Sequence, residues 1–234
     1  MAEAQESGRT VLVTGAHRGI GRELCRVLVA RGDRVLVTAR TFADAQDVAQ
    51  ELSPDGSSAR AIALDVTDGA SIAAAADAIR TGGGAVDVLV NNAGIDYDYD
   101  QQAATADLGR VRRILETNLL GAWAVTKSIL PLLDAGAAIV MVTSEQASMQ
   151  LMSEGTPGYR VSKAALNALT RVLAAELRER QIDVRAASPG WTETDMGGPG
   201  GRPVPDGVRS VLAAIDAPKG TTDTYTQDGQ PLPW

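Results

Sequence analysis

Tyr159 and Lys163 stand four positions apart in a helical pattern, which puts both side chains on one face, a turn apart. Ser144 closes the strand-like run before them, and Asn118 lies inside a long helical stretch further upstream. The 234 residues hold one histidine, His17, and one cysteine, Cys25. A single cysteine excludes an intrachain disulfide framework, and a single histidine excludes any two-histidine metal motif, so no metal site is expected. A serine–histidine–acid triad could be built only through His17. Proton transfer therefore falls to a carboxylate, a tyrosine or a lysine. With four tyrosines and three lysines in the chain, a Tyr–Lys pair at this spacing is a weak signal alone. Its weight comes from Ser144 and Asn118.

A second cluster precedes these residues. Positions 14–21 read Thr-Gly-Ala-His-Arg-Gly-Ile-Gly directly after the first strand-like run, and a helical pattern follows. Gly15 allows the tight turn, Gly19 lets the backbone approach a pyrophosphate, and Gly21 permits close helix–strand packing. The helix N-terminus then faces the anion. Bare glycine patterns are common, and the strand-to-helix context is what makes this one a dinucleotide cradle. His17 is expected beside the cofactor as a loop residue, not as a catalyst. An NAD site would carry an acid at the end of the second strand to accept from the ribose 2′-OH. Residues 37–41 read Val-Thr-Ala-Arg-Thr instead. Arg40, with Arg18 inside the glycine loop, would bind a 2′-phosphate bidentately, which favours NADPH over NADH. Asp65, at the end of the third strand, is placed to accept from the adenine amino group or to cap the turn into the next helix. Asn91-Asn92-Ala93-Gly94 ends the fourth strand. The asparagines can tie adjacent strands together there, and Gly94 lets the chain pass the cofactor.

The elements that must position these groups alternate along the chain. Strand-like runs fall at 10–14, 34–39, 59–64, 86–90, 138–143, 183–187 and 222–226. Helical patterns fall at 19–31, 43–52, 69–80, 107–133, 157–180 and 206–215. Several strands are continuous Val/Leu/Ile runs, as expected of strands buried on both faces. The reading is an α/β fold: a doubly wound, seven-stranded parallel sheet with helices on both faces. No linker divides the chain before residue 189, so one domain is expected over 9–234, behind a flexible polar tail at 1–8. The Gly/Pro-dense stretch 196–207 is either a surface connection or part of a substrate lid over 192–207. With 29 acidic and 22 basic side chains the net charge is −7, which argues against general binding to nucleic acid or anionic membranes. No apolar run approaches the roughly 18 residues of a spanning helix, and residues 1–8 lack a signal-peptide pattern. A cytoplasmic location is expected, and the lone thiol fits a reducing compartment.

Taken in order, TGAHRGIG, NNAG, Asn118, Ser144, YRVSK and the Pro189-Gly190 step resemble the short-chain dehydrogenase/reductase family. The resemblance runs from Thr10 to about Met196, and is greatest to the NADPH-dependent carbonyl reductases. It implies a single Rossmann domain and a four-residue site. In that site Tyr159 is the general acid in carbonyl reduction and the base in alcohol oxidation. Lys163 lowers the phenol pKa and binds the nicotinamide ribose, Ser144 binds the substrate carbonyl, and Asn118 holds a water in the proton relay. The implied cofactor contacts are Gly15, His17, Arg18, Gly19, Ile20, Gly21, Arg40, Asp65, Val66, Asn92, Ala93, Gly94, Tyr159, Lys163, Pro189, Gly190 and Thr192. Ser144 and Tyr159 would bind the substrate, a small carbonyl compound or alcohol. Met149, Leu151, Met152 and Glu154 could line an apolar pocket or pack against the lid. The insertion that precedes the tyrosine in monomeric animal carbonyl reductases is missing. That favours a homodimer or homotetramer over a monomer, with Ala164, Ala165, Ala168 and Ala174 either at a helix contact or against the sheet. The alternatives are a nucleotide-binding sensor or scaffold without turnover, and a sugar-nucleotide epimerase or dehydratase. A scaffold would be expected to lose Tyr159 or Lys163. An epimerase usually needs more than the 45 or so residues that follow Pro189.

Overall fold

The computed structural model describes residues 8–234. The tail expected at 1–8 lies outside the described residues except for Gly8, which packs on Gly32 so closely that a Cβ there would overlap the Gly32 carbonyl. Eight strands form one sheet in the order β3-β2-β1-β4-β5-β6-β7-β8. They are β1 (Thr10–Val13), β2 (Arg34–Ala39), β3 (Ala59–Ala63), β4 (Val88–Asn91), β5 (Ala138–Val142), β6 (Asp183–Ser188), β7 (Thr224–Gln227) and β8 (Gln230–Pro231). The first seven are parallel, and order reverses between β1 and β4. A ligand crevice belongs at that switch point, outside the strand C-termini.

The helices are α1 (Gly19–Ala30), α2 (Phe42–Leu52), α3 (Gly69–Thr81), α4 (Leu108–Leu115), α5 (Ala122–Ile129), α6 (Pro157–Glu176) and α7 (Val204–Ile215). The period-2 pleat sorts each central strand into two layers. Val11, Val13, Val35, Val37, Val88, Val90, Val140 and Val142 face α1, α2 and α7 together with Leu24, Leu28 and Val211. Leu12, Leu36, Leu89, Ile139 and Met141 face α3, α5 and α6 with Ile72, Val125 and Leu166. β-Branched residues thus fill one face and longer side chains the other.

Three departures from the sequence expectation have local causes. The count of seven strands becomes eight because Asp228 and Gly229, both at positive φ (53° and 75°), turn the chain back on itself, pairing Gln227 with Gln230 antiparallel. An Asp-Gly pair is the standard residue choice for such a two-residue turn, and Pro231 obscured the short strand after it. The helix expected over 107–133 is broken by a π turn at Glu116–Gly121 between α4 and α5, and Gly121 packs against Val66 there. The proposed lid ends at residue 203 rather than 207, since α7 begins at Val204. The loop is braced by a bridge between Thr192 and Arg202 and by Trp191 Nε1, which donates to the Gly197 carbonyl at 2.8 Å.

Arg185 is fully buried on β6, a placement the strand pattern gave no sign of. Its guanidinium donates to Asp183 Oδ2 (2.7 Å) and to the carbonyls of Ala214 (2.8 Å), Pro218 (3.1 Å) and Thr221. One side chain therefore ties the end of α7 and the α7–β7 connection to the sheet. Arg185→Met should remove about 3–5 kcal/mol of stability, because it strands the buried Asp183 carboxylate and three carbonyls. Chemical denaturation checks this, and a loss below about 1 kcal/mol would contradict it.

Candidate active site

The glycine loop is pinned from the fourth strand. Asn92 Nδ2 donates to the carbonyls of Thr14 (2.8 Å) and Gly15 (3.2 Å), while Thr14 Oγ1 accepts from the N–H groups of Asn92 and Ala93, both at 2.9 Å. Gly15 and Gly19 adopt φ of 64° and 54°, where other residues are strained. A Cβ on Gly21 would sit 2.5 Å from the Gly15 carbonyl oxygen and from Asn92 Nδ2. The loop leaves backbone facing a cavity of about 670 Å³ at the switch point.

Most of the expected contacts line that cavity. From the first turn come Gly15, His17, Arg18, Gly19, Ile20 and Gly21, then Arg40, Asp65 and Val66. Asn92, Ala93 and Gly94 follow, and Tyr159, Lys163 and Pro189 complete the set. Gly190, Thr192, Ser144 and Asn118 do not line it. Thr192 is buried, and its hydroxyl reaches the carbonyls of Pro189 (3.2 Å) and Gly190 (3.1 Å), so it braces the turn; Thr194 and Met196 line the cavity instead. Asp65 lines the cavity, and its Oδ1 accepts from Thr67 N at 2.9 Å in the turn before α3, whose own cap is Asp68. Lining residues that the sequence reading missed include Ile95, Tyr97, Arg113 and Glu116. The first two follow NNAG directly. Arg113 lies on the last turn of α4 and Glu116 opens the π turn, which no sequence period announced.

Lys163 is buried, and its Nζ donates to the Val142 carbonyl at 2.8 Å and stands 5.7 Å from the centroid of the Tyr159 ring. Burial pushes the Lys163 ammonium down to about 8. Burial likewise pushes the Tyr159 phenol up to about 12, opposed by its hydrogen bond with Ser144 and reinforced by the Asp96 charge. Desolvation is the largest influence on the phenol, and Lys163 is not among the groups that shift it. At neutral pH the phenol keeps its proton and can give it away.

Ser144 also caps the short turn Glu145–Ala147, its Oγ accepting from Gln146 N at 3.2 Å, and its carbonyl accepts from the Tyr225 hydroxyl. Asn118 is buried on the π turn. Its Oδ1 accepts from Ile95 N at 2.8 Å, and its Nδ2 donates to the Ile95 carbonyl (2.9 Å) and Ser162 Oγ (3.0 Å). Both amide hydrogens are committed, so a water held at Asn118 would use the remaining Oδ1 lone pair or the backbone.

At the other end of the cavity, His17 is held neutral, its pKa lowered by burial and then by Arg18, with Asp44 opposing and Arg40 adding a smaller push. His17 Nδ1 is buried without a partner among the described residues. Arg18 pairs with Asp195 at 3.1 Å across to the 192–203 loop. A cavity floored by glycine backbone, with two guanidiniums at one end and an orphaned imidazole nitrogen, fits a phosphorylated dinucleotide. Met149, Leu151 and Met152 are exposed and do not line the cavity. Of the helix alanines, Ala174 is buried in the core and Ala168 is exposed. Cys25 is buried, its thiol pushed up by desolvation, and takes no part in the site.

With this geometry in view, the comparisons with known proteins are direct. The short chain dehydrogenase family matches residues 9–202. The 3-oxoacyl-[acyl-carrier-protein] reductase FabG of Salmonella typhimurium is 35% identical over 189 residues, covering 81% of this chain and 75% of the relative. The solved structure of NADPH-bound carbonyl reductase from chicken fatty liver superposes with a TM-score of 0.87 at 31% identity, covering 97% and 94% of the two chains. Carbonyl reductase Sniffer of D. melanogaster gives 0.86 at 26% identity, covering 97% and 100%. The chain belongs to the short-chain dehydrogenase family and is an oxidoreductase of that family. No helix among the described residues is long and apolar enough to cross a membrane.

The buried ammonium has a measurable signature. A lysine whose folded pKa lies near 8 instead of 10.5 costs stability in full below pH 8, on the order of 3 kcal/mol. The cost fades as pH rises from about 8 to 10.5, where the unfolded chain also loses the proton. Relative to Lys163→Met, the wild type should therefore gain stability over that window and hold a constant difference between pH 6 and 8. Melting temperatures of the two proteins across pH 6–10 check it, and a pH-independent difference would contradict it.

Proposed function

We propose that the chain reduces a ketone or aldehyde with NADPH, or oxidises the matching secondary alcohol with NADP. The observation that carries this reading is the buried Lys163 ammonium, 5.7 Å from the centroid of the Tyr159 ring, with both residues lining a cavity that Arg18 and Arg40 also line. The NADPH-bound carbonyl reductase neighbour supports it. Bound NADPH would supply the hydride. Ser144 Oγ would bond the substrate oxygen and hold it against the phenol. Tyr159 would then donate its proton to that oxygen as it gains negative charge, and in the reverse direction take one from the alcohol. The Lys163 ammonium stabilises the phenolate left behind and, within this reading, binds the nicotinamide ribose. Asn118 fixes Ile95 at the substrate side and holds the relay water. Arg18 and Arg40 take the 2′-phosphate, and Asp65 and Val66 border the adenine.

Two other readings are weighed. FabG acts on a 3-oxoacyl group, which is also a ketone, so the proton chemistry is shared and only the pocket differs. A sensor or scaffold without turnover would have no use for a buried ammonium beside a phenol in the cavity wall. A cytoplasmic location and a homodimer or homotetramer belong to the proposal as well. Exposed Leu108, Trp123, Val161 and Val172 on α4, α5 and α6 favour a helix-mediated contact.

A panel of ketones, aldehydes, quinones and secondary alcohols with both cofactors tests the reading. Tyr159→Phe should lower kcat/KM for carbonyl reduction by about 10²–10⁴ while NADPH affinity stays within about threefold. Unchanged turnover would remove Tyr159 from the chemistry. Arg40→Asp should lower the NADPH/NADH preference by roughly 10–100-fold, the worth of a charged hydrogen bond. An unaltered ratio would contradict the phosphate assignment.

A further inference from the structure

Helix α6, which carries Tyr159 and Lys163, is not capped by its own N-terminal residue. Thr156 sits at φ 43° and ψ 53°, and its hydroxyl donates to Gln146 Oε1 at 3.2 Å instead of accepting from the helix. Pro157 has no N–H to satisfy. The first free N–H, that of Gly158, donates to Asp98 Oδ2 from a segment 60 residues away. Asp98 is completely buried. A Cβ on Gly158 would stand 2.8 Å from that oxygen, and the α4 atoms Ile114 Cδ1 and Val111 Cα are also close, so the approach depends on glycine.

Asp98 lies in the loop that follows Gly94, whose Ile95 and Tyr97 line the cavity. Asn118 holds the start of that loop through both polar backbone atoms of Ile95. Asp98 holds its middle to the start of α6. Its Oδ1 has no partner among the described residues, and its N–H donates to Asp96 Oδ1 at 3.1 Å. Burial and then Asp98 push the half-buried Asp96 carboxyl up to about 6, so at neutral pH it is still mostly ionised. The groups that face the pair are the Gly158 N–H and the Tyr159 phenol from α6, the apolar Val111 and Ile114 from α4, and Arg110, which is tied to Asp100 and the Tyr97 carbonyl.

We propose that Asp98 is a positioning residue for Tyr159: its buried carboxylate fastens the start of α6 to the substrate-side loop and so holds the phenol, one residue beyond Gly158, against Ser144. A negative group at this end of the helix is also favoured by the helix dipole. The proposal rests on Tyr159 as the proton donor.

The test uses the intact protein with NADPH and para-nitrobenzaldehyde, comparing Asp98→Ala, Asp98→Asn, Gly158→Ala and Tyr159→Phe below their melting temperatures. Asp98→Ala should lower kcat at least tenfold with NADPH affinity within about twofold, and should move the pH at which alcohol oxidation levels off. Asp98→Asn keeps an oxygen for Gly158 and an N–H₂ for Asp96, and should restore kcat to within about threefold of wild type. Gly158→Ala attacks the same bond from the other side and should match Asp98→Ala, and it decides alone if Asp98→Ala does not fold. A cap that only stabilises the helix would lower melting temperatures and leave kcat and the pH profile of the folded enzyme unchanged, and that result overturns the proposal. Full activity in Tyr159→Phe, or no turnover by wild type across the carbonyl panel, would instead overturn the parent reading and take the proposal with it.

Discussion

A buried ammonium one helical turn from a phenol in a cavity wall is expensive to hold, and the architecture around Lys163 and Tyr159 holds it. Each group loses most of its water, so its charged form is disfavoured. The consequences run in opposite directions: the lysine moves toward neutrality, and the phenol is kept as an acid. The Val142 carbonyl, at the C-terminal end of β5, gives the ammonium its one hydrogen bond among the described residues. Ser144, two residues further on, meets the phenol. The end of one central strand thus addresses both members of the pair.

The parallel sheet makes this possible. Its strands all end on the same edge, and the reversal of order between β1 and β4 opens a crevice there. Asn92 locks the glycine loop from the β4 side, and Asn118 locks Ile95 from the π turn. The extra residue of a π turn re-aims side chains without ending the helix, which is how Asn118 comes to face the loop after β4. The valine face and the leucine/isoleucine face of the sheet bury α1 and α6 on opposite sides, so the cradle and the proton donor reach the cavity from two rigid helices.

Much of this was legible in the residues. Several buried parallel strands show as unbroken apolar runs, and all seven strands that the pattern indicated are present. TGAHRGIG and the Tyr159–Lys163 spacing are local signals, and both clusters meet at one cavity. What was not legible depends on partners distant in sequence. Nothing near Asp98 announces that it will meet Gly158, and nothing in the run Asp-Val-Arg-Ala-Ala-Ser of β6 foretells that Arg185 will collect three carbonyls. The π turn left no trace because its pattern is helical on both sides. The Asp228-Gly229 turn was written plainly, but two residues of β8 with a proline do not look like a strand. The upward shift of the Tyr159 phenol was not legible either, since desolvation is a property of the packed interior and not of spacing.

The central claim is that burial keeps Tyr159 protonated, so that it can act as the acid in carbonyl reduction. Phenolate absorbance of the protein alone, taken as the difference between wild type and Tyr159→Phe across a pH titration, reads that state directly. The account predicts no Tyr159 phenolate at pH 9 and its appearance only toward about 12. A Tyr159 phenolate titrating between pH 6 and 8 would contradict it.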